Sequence, residues 1–303
     1  MTRKRQVLRI AGLIAFLALA LAATPVRGEA PGQPPSGPAS DPGWVTGGPY
    51  RLKAAVFRSA TVSAAPRLVV VLHGDAPFNK PDYQNTFAAR VAAAERDVVA
   101  VALLRPGYTD PQGNTSDGVR GVTNGDNWNA TNTEAIAAAI GELKRRYHPR
   151  RVVVAGHSGG SAITANLLGR HPGLIDAALL VSCPCDVARW RRSMLELTGQ
   201  PVFRGPLDTL SAIDQVPGMS DRAEVTMVVG SQDKVAPPAL SESYRDRAVK
   251  LGKRVRLVEL PGKEHEIFLE PAVLAELAAL LGAPPAGDPA PAHPGKTRPV
   301  PPG

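Results

Sequence analysis

The stretch RVVVAGHSGGSAITANLLGR at 151–170 constrains the chain more than any other. Val152, Val153, Val154 and Ala155 form an apolar, largely β-branched run that enters Gly156-His157-Ser158-Gly159-Gly160. The segment 161–168 then reads as a helix, closed by Gly169 and His171-Pro172. Strand, glycine-bracketed serine and helix together make the layout of a nucleophile elbow. Such a turn forces unusual backbone angles on the serine and lifts its hydroxyl clear of the sheet. Glycines at 156 and 160 are expected because side chains there would collide with strand and helix. In a chain with 29 glycines the bare Gly-x-Ser-x-Gly pattern carries little weight, so the flanking elements carry the reading.

Both ends of the 303-residue chain read as non-globular. Arg3, Lys4, Arg5 and Arg9 precede an uncharged apolar run of 14 residues at 10–23. That is short of the ~20 residues a membrane-spanning helix needs. A basic start, a short apolar segment and small residues at Ala20 and Ala22 predict a secretory signal peptide over 1–23, with cleavage after Ala22 or Ala23, or after Ala30. An uncleaved anchor is the alternative; with cleavage no stable membrane span remains, and the expected location is secreted or periplasmic. Residues 24–48 and 282–303, rich in Pro, Gly and Ala, read as disordered linker and tail. One domain over 49–281 is left, enough chain for a large core.

The formal charge of +8 overstates the basicity of the mature chain, because four of those charges lie in the signal segment. The remaining basic residues are mixed with acidic ones and do not interleave with aromatics, so nucleic-acid binding finds no support. Cys183 and Cys185 flank a single proline. They read as a local structural pair or as a labile disulfide, which an oxidising compartment permits. Two cysteines fall short of a structural zinc site, and no metal is expected.

Along the domain, apolar runs alternate with helical segments. Strands are expected at 51–58, 67–72, 97–104, 152–155, 174–181, 224–229 and 254–260. Helices are expected at 82–96, 131–147, 161–168, 238–251 and 267–281, the second opened by a capping box of Thr131 and Glu134. A long polar loop runs over 109–129; its part at 118–129, with Asn124, Asp126, Asn127 and Trp128, reads as a solvated connection, with lining of the pocket as the alternative, and 187–222 reads as a short cap or lid. Strands buried on both faces and separated by helices imply an α/β fold, a mainly parallel sheet with helices on both faces.

In such sheets ligands bind beyond the carboxyl ends of the strands. Three residues at such ends form a chemical set: Ser158, Asp233 and His265. A serine hydroxyl is a poor nucleophile until an adjacent base takes its proton. An imidazole does so near neutral pH and returns the proton to the leaving group, while a carboxylate fixes its tautomer. Among the other histidines, His148 and His171 precede prolines at helix ends, and His293 lies in the tail. His157 reads as structural, and His73 belongs to a strand-end loop. Asp233 is preferred over Asp186, which ends the preceding strand and suits a variant arrangement. Asp208 and Asp214 fall in the cap. An oxyanion hole completes the set, with the backbone N–H of Gly159 and of Asp75 as donors and His73-Gly74 supplying the turn.

Taken together, LHG at 72–74, GHSGG at 156–160, VVGSQDKVAPP at 228–238 and PGKEHEIF at 261–268 resemble the α/β-hydrolase superfamily. The likeness covers about 67–281 and is nearer to dienelactone hydrolases, secreted esterases and prolyl oligopeptidase catalytic domains than to lipases. The order Ser, Asp, His is that of the superfamily's triad. The resemblance implies a serine hydrolase that needs no cofactor and acts on a small ester or a short peptide. Asp75 departs from it, standing where relatives often carry glycine, close enough to repel anionic substrates or to hold the loop by hydrogen bonds. The chain also has no room for a β-propeller. An ester hydrolase is the leading expectation, a peptidase or amidase the second, and a non-catalytic binding protein on the same fold the third.

Overall fold

The computed structural model describes residues 41–76, 79–205 and 207–282. The segments expected to be signal peptide and tail therefore lie outside the described residues. Eight strands form one sheet: β1 (Asp41–Gly47), β2 (Tyr50–Arg58), β3 (Arg67–Leu72), β4 (Val98–Leu103), β5 (Arg151–His157), β6 (Ala177–Val181), β7 (Glu224–Gly230) and β8 (Arg254–Leu260). Their spatial order is β1-β2-β4-β3-β5-β6-β7-β8. β1 and β2 run antiparallel at one edge, and all pairings from β4 to β8 are parallel.

Among the described residues there are seven α-helices: α1 (Tyr83–Ala94), α2 (Ala130–Tyr147), α3 (Gly159–Arg170), α4 (Val187–Thr198), α5 (Ala212–Gln215), α6 (Pro238–Lys250) and α7 (Pro271–Leu281). The period-2 alternation of the buried strands sends successive residues to opposite faces. Leu68, Val70, Val152 and Val154 pack on one side with Ile136, Ile140 and Ile163 of α2 and α3. Val69, Val71, Val153 and Ala155 pack on the other with Phe87, Leu277 and Leu280 of α1 and α7. Continuous apolar runs are thus required, because neither face of the central strands meets water. Edge strand β8 is partly exposed and carries Arg254, Arg256 and Glu259, charges that discourage edge-to-edge pairing.

Three details differ from the sequence reading. Residues 41–47, assigned to a disordered linker, form β1, because their backbone completes the free edge of β2. Helix α2 begins at Ala130, and its N-cap is Asn129, whose side chain accepts from the N–H of Asn132; Thr131 lies inside the helix, so no capping box forms. The loop at 109–129 is not merely solvated. Its Asn127 and Trp128 are buried, the first donating to the carbonyls of Pro106 and Val119.

The chain steps from β3 outward to β4, then returns across β3 to start β5 on its other side. That reversal leaves a crevice beyond the carboxyl ends of β3 and β5, where Leu72 is in register with Gly156. Every residue of the candidate site converges around this point.

Candidate active site

Ser158 follows β5 directly, with φ 49° and ψ −118°. Backbone in this region is strained for any residue with a Cβ. The close approach of neighbouring chain explains the two outer glycines. A Cβ on Gly160 would lie 2.5 Å from the carbonyl oxygens of Leu72 and His73, and one on Gly156 would lie 2.5 Å from the Gly160 oxygen. The elbow is therefore wedged against the end of β3, and Ser158 heads α3 beside the His73-Gly74-Asp75 loop.

Asp233 and His265 meet. Nδ1 of His265 lies 2.9 and 3.0 Å from the two carboxylate oxygens of Asp233. An acceptor-only carboxylate assigns the Nδ1 proton to histidine and leaves Nε2 available as a base. Asp233 Oδ1 also accepts from the N–H groups of Val235 and Ala236, which fixes the carboxylate. Gly230 lets the two loops approach, since a Cβ there would meet the Lys263 and Glu264 carbonyl oxygens at 2.3 Å. Asp233 is buried and His265 half-buried. Ser158 Oγ makes no hydrogen bond to the imidazole among the described residues; catalytic hydrogen bonds of this kind commonly tighten only when substrate is bound.

Asp186, the alternative acid, is occupied elsewhere. It caps α4, its Oδ1 accepting from the Arg189 N–H at 3.0 Å. Asp208 is exposed and Asp214 lies in the first turn of α5. His148 and His171 occupy the C-terminal caps of α2 and α3.

The two expected oxyanion donors are unspent. Among the described residues neither the Asp75 nor the Gly159 N–H donates to a protein acceptor outside regular structure, and Gly159, as the first residue of α3, has no intrahelical partner. The Gly74 N–H, by contrast, is taken by the Tyr83 hydroxyl. The helix N-terminus adds a partial positive charge to the same spot.

The Asp75 carboxylate is turned into the protein. Its Oδ1 pairs with Arg105 Nη2 at 2.9 Å and accepts from Trp128 Nε1 at 3.0 Å, and its Oδ2 accepts from the Gly125 N–H at 2.7 Å. Arg105, fully buried after β4, also donates to the His73 carbonyl and to Asn127 Oδ1. Asp75 therefore clamps the loop, and its charge is neutralised at short range. Sequence reading missed Arg105 and Tyr83, and it offered Trp128 only as one residue of a loop that could line the pocket. The one available signal was the position of Arg105 at a strand's carboxyl end.

Two histidines behind the crevice are held neutral. Burial, reinforced by Arg105, pushes His73 well below the ordinary imidazole value. Burial and then the neighbouring His265 lower His157 to about 3. In the unfolded chain both titrate near 6.5. Between about pH 6.5 and 3 the unfolded state therefore binds more protons, and stability falls as the pH falls. Ordinary carboxylates enter only below about pH 4.5, so the window from 6.5 to 4.5 isolates the histidines. The urea midpoint should drop steadily across that window; a flat midpoint would contradict the buried neutral assignment.

Ring nitrogens of His157 and His265 and a carboxylate oxygen of Glu266 lie within 4.8 Å of one another, a spacing a cation could use. The donor set does not fit one. Both His157 nitrogens already have protein partners, and His265 Nδ1 is bound to Asp233.

The cap comprises α4, α5 and 3-10 turns at Pro201–Phe203 and Val216–Gly218. Cys183 and Cys185, buried at the end of β6, are joined as a disulfide just before α4. A cavity of about 790 Å³ opens in the cap among Arg191, Phe203, Leu207 and Ile213, and none of Ser158, Asp233 and His265 lines it.

No curated protein matches the chain significantly by sequence. Among solved structures, Est1E from Butyrivibrio proteoclasticus, described with ferulic acid bound, is 18% identical, with a TM-score of 0.61 over 78% of this chain and 97% of that one. An esterase from Pyrococcus furiosus is 14% identical, with a TM-score of 0.60 over 80% and 90%. An acylaminoacyl peptidase from Pyrococcus horikoshii is 14% identical, with a TM-score of 0.58, and matches 80% of this chain but only 40% of its own. Identities this low speak to the fold. Residues 69–214 match the model of the alpha/beta hydrolase family, which spans both the loop after β3 and the elbow. With its mainly parallel eight-stranded sheet and a serine elbow at the topological switch point, the chain has the alpha/beta-hydrolase fold.

Proposed function

We propose that the protein is a serine hydrolase that cleaves a carboxylic ester through an acyl-enzyme. Ser158 attacks the carbonyl carbon, and His265 Nε2 takes the hydroxyl proton. Asp233 holds the imidazole and stabilises the imidazolium that forms. The oxyanion of the tetrahedral intermediate is received by the N–H groups of Asp75 and Gly159. His265 then protonates the departing alkoxide. In the second half it deprotonates a water that releases the acid and frees Ser158. The observation that carries the reading is the Asp233–His265 contact beside a serine held at positive φ.

Two esterases among the structural neighbours favour esters over amides. The peptidase reading keeps its own support, a peptidase that shares the fold over the length of this chain's domain. Incubation with a fluorophosphonate probe, followed by mass mapping, should place the label on Ser158. A panel of p-nitrophenyl esters should turn over faster than the matching peptide anilides. A label elsewhere overturns the nucleophile assignment, and faster anilide cleavage turns the reading to a peptidase. We also propose export, supported by the basic and apolar segment over 1–23 and by the Cys183–Cys185 disulfide, which suits an oxidising compartment. N-terminal sequencing of protein from a periplasmic or culture fraction, starting beyond residue 22, tests it.

A further inference from the structure

We propose that Tyr83 and His157 are positioning residues that tie the oxyanion loop to the backbone of the catalytic histidine through one directional chain of hydrogen bonds. The inference rests on the serine-hydrolase reading above. It begins at the carbonyl of His265, which can only accept. His157 Nε2 lies 3.1 Å from that oxygen, so Nε2 carries the proton. A neutral imidazole has one N–H, which leaves Nδ1 of His157 as an acceptor. The Tyr83 hydroxyl sits 2.8 Å from Nδ1 and supplies the proton. The Tyr83 oxygen in turn accepts the N–H of Gly74. Each link has a forced direction, from Gly74 through Tyr83 and His157 to His265.

The surroundings keep the chain in that state. His157 is buried, its ring stacked 5.4 Å from Phe268, and the Tyr83 ring meets the edge of the same phenylalanine at 5.8 Å. Desolvation raises the Tyr83 hydroxyl above its ordinary value, so it stays protonated; the Gly74 N–H opposes this, and Glu266 reinforces it. The charged and titratable groups that act on His157 include His265, which disfavours a second proton, and Asp233, which favours one; buried His73 is coupled to it as well. Ser182, at the end of β6, gives the His265 carbonyl a second donor at 3.0 Å. The catalytic histidine is thus anchored by its ring to Asp233 and by its backbone to His157 and Ser182.

The consequence is geometric. Taking the Gly74 N–H for Tyr83 leaves the next N–H, that of Asp75, as the free donor of the loop. The same tyrosine fixes the His157 tautomer that holds His265. One hydroxyl therefore sets the spacing between the base and the oxyanion donor. Misplacement by an ångström in such a constellation lowers turnover by ~100-fold.

The test is Tyr83→Phe, which keeps the ring and removes the hydroxyl. Ester kinetics are measured well below its melting temperature, with inhibition by a trifluoromethyl ketone in parallel. The expected result is a kcat lower by about tenfold or more, with KM within twofold. The inhibition constant of the ketone, which needs both base and oxyanion donors, should rise by a similar factor. A folded variant with kcat within twofold of the parent overturns the proposal. Should the variant fail to fold, ¹⁵N-histidine NMR of the unaltered protein decides. A His157 ring protonated at Nε2, with Nδ1 accepting, supports the chain, and the Nδ1–H tautomer overturns it. That measurement needs no turnover, so it separates this inference from the hydrolase reading, which Ser158→Ala tests.

Discussion

Ser158→Ala should lower turnover of p-nitrophenyl acetate by about 10⁴-fold or more, measured as kcat on protein purified away from contaminating esterases. The size follows from the proposed role as nucleophile. Without the hydroxyl no acyl-enzyme forms, and His265 can at most activate water from a poorly placed position. KM should change little, because the carbonyl still reaches the N–H groups of Asp75 and Gly159. Fluorophosphonate labelling should vanish with the turnover. Full activity in the variant would remove the nucleophile from the mechanism outright. Stability supplies an independent reading of the same site. Ser158 sits at φ 49°, so alanine inherits its strain while glycine relieves it. Ser158→Gly should therefore be more stable than Ser158→Ala by about 1 kcal/mol in urea unfolding.

The second large effect is expected at Arg105. Its guanidinium is the buried counter-charge of Asp75, and it also binds the His73 carbonyl and Asn127. Arg105→Met keeps much of the volume but leaves the Asp75 carboxylate without its cation. Breaking a buried pair in this way costs about 3–5 kcal/mol, most of it the penalty for the charge left behind. Because Asp75 also carries a proposed oxyanion donor, kcat should fall by ~10²-fold, within the range for losing one such donor. Adding Asp75→Asn to Arg105→Met removes the stranded charge. The double variant should therefore be more stable than Arg105→Met alone, a non-additivity that a double-mutant cycle reads directly. Additive losses would mean that the two side chains act independently.

Only part of this arrangement was legible beforehand. The elbow at 156–160 announced itself because it is local: a β-branched run, a turn that needs glycine and a helix all lie within one short stretch. Asp233 and His265 were readable from their places after apolar strands. Asp186 stayed a competitor until its carboxylate was seen capping α4. The role of Asp75 was undecided between repelling a substrate and holding a loop. Its partners come from 30, 50 and 53 positions away, at Arg105, Gly125 and Trp128, and no local pattern announces them. Residues 41–47 were misread because a short segment rich in Gly and Pro has no strand propensity of its own; a vacant sheet edge made it β1.

The amino-acid sequence by itself determined the class of fold, through buried strands alternating with helices, and it named Ser158, Asp233 and His265 as the proposed serine, acid and histidine through their positions at strand ends. Those signals survive in one dimension because side-chain periodicity and turn chemistry are properties of adjacent residues. The tertiary structure alone decided which polar groups stand together behind the crevice: Arg105 against Asp75, Asn127 beneath Arg105, and Tyr83 between Gly74 and His157. Such pairings depend on the reversal of strand order at β3 and β5, which brings distant loops into hydrogen-bonding range. There, burial makes each unsatisfied donor or charge costly enough to fix its partner.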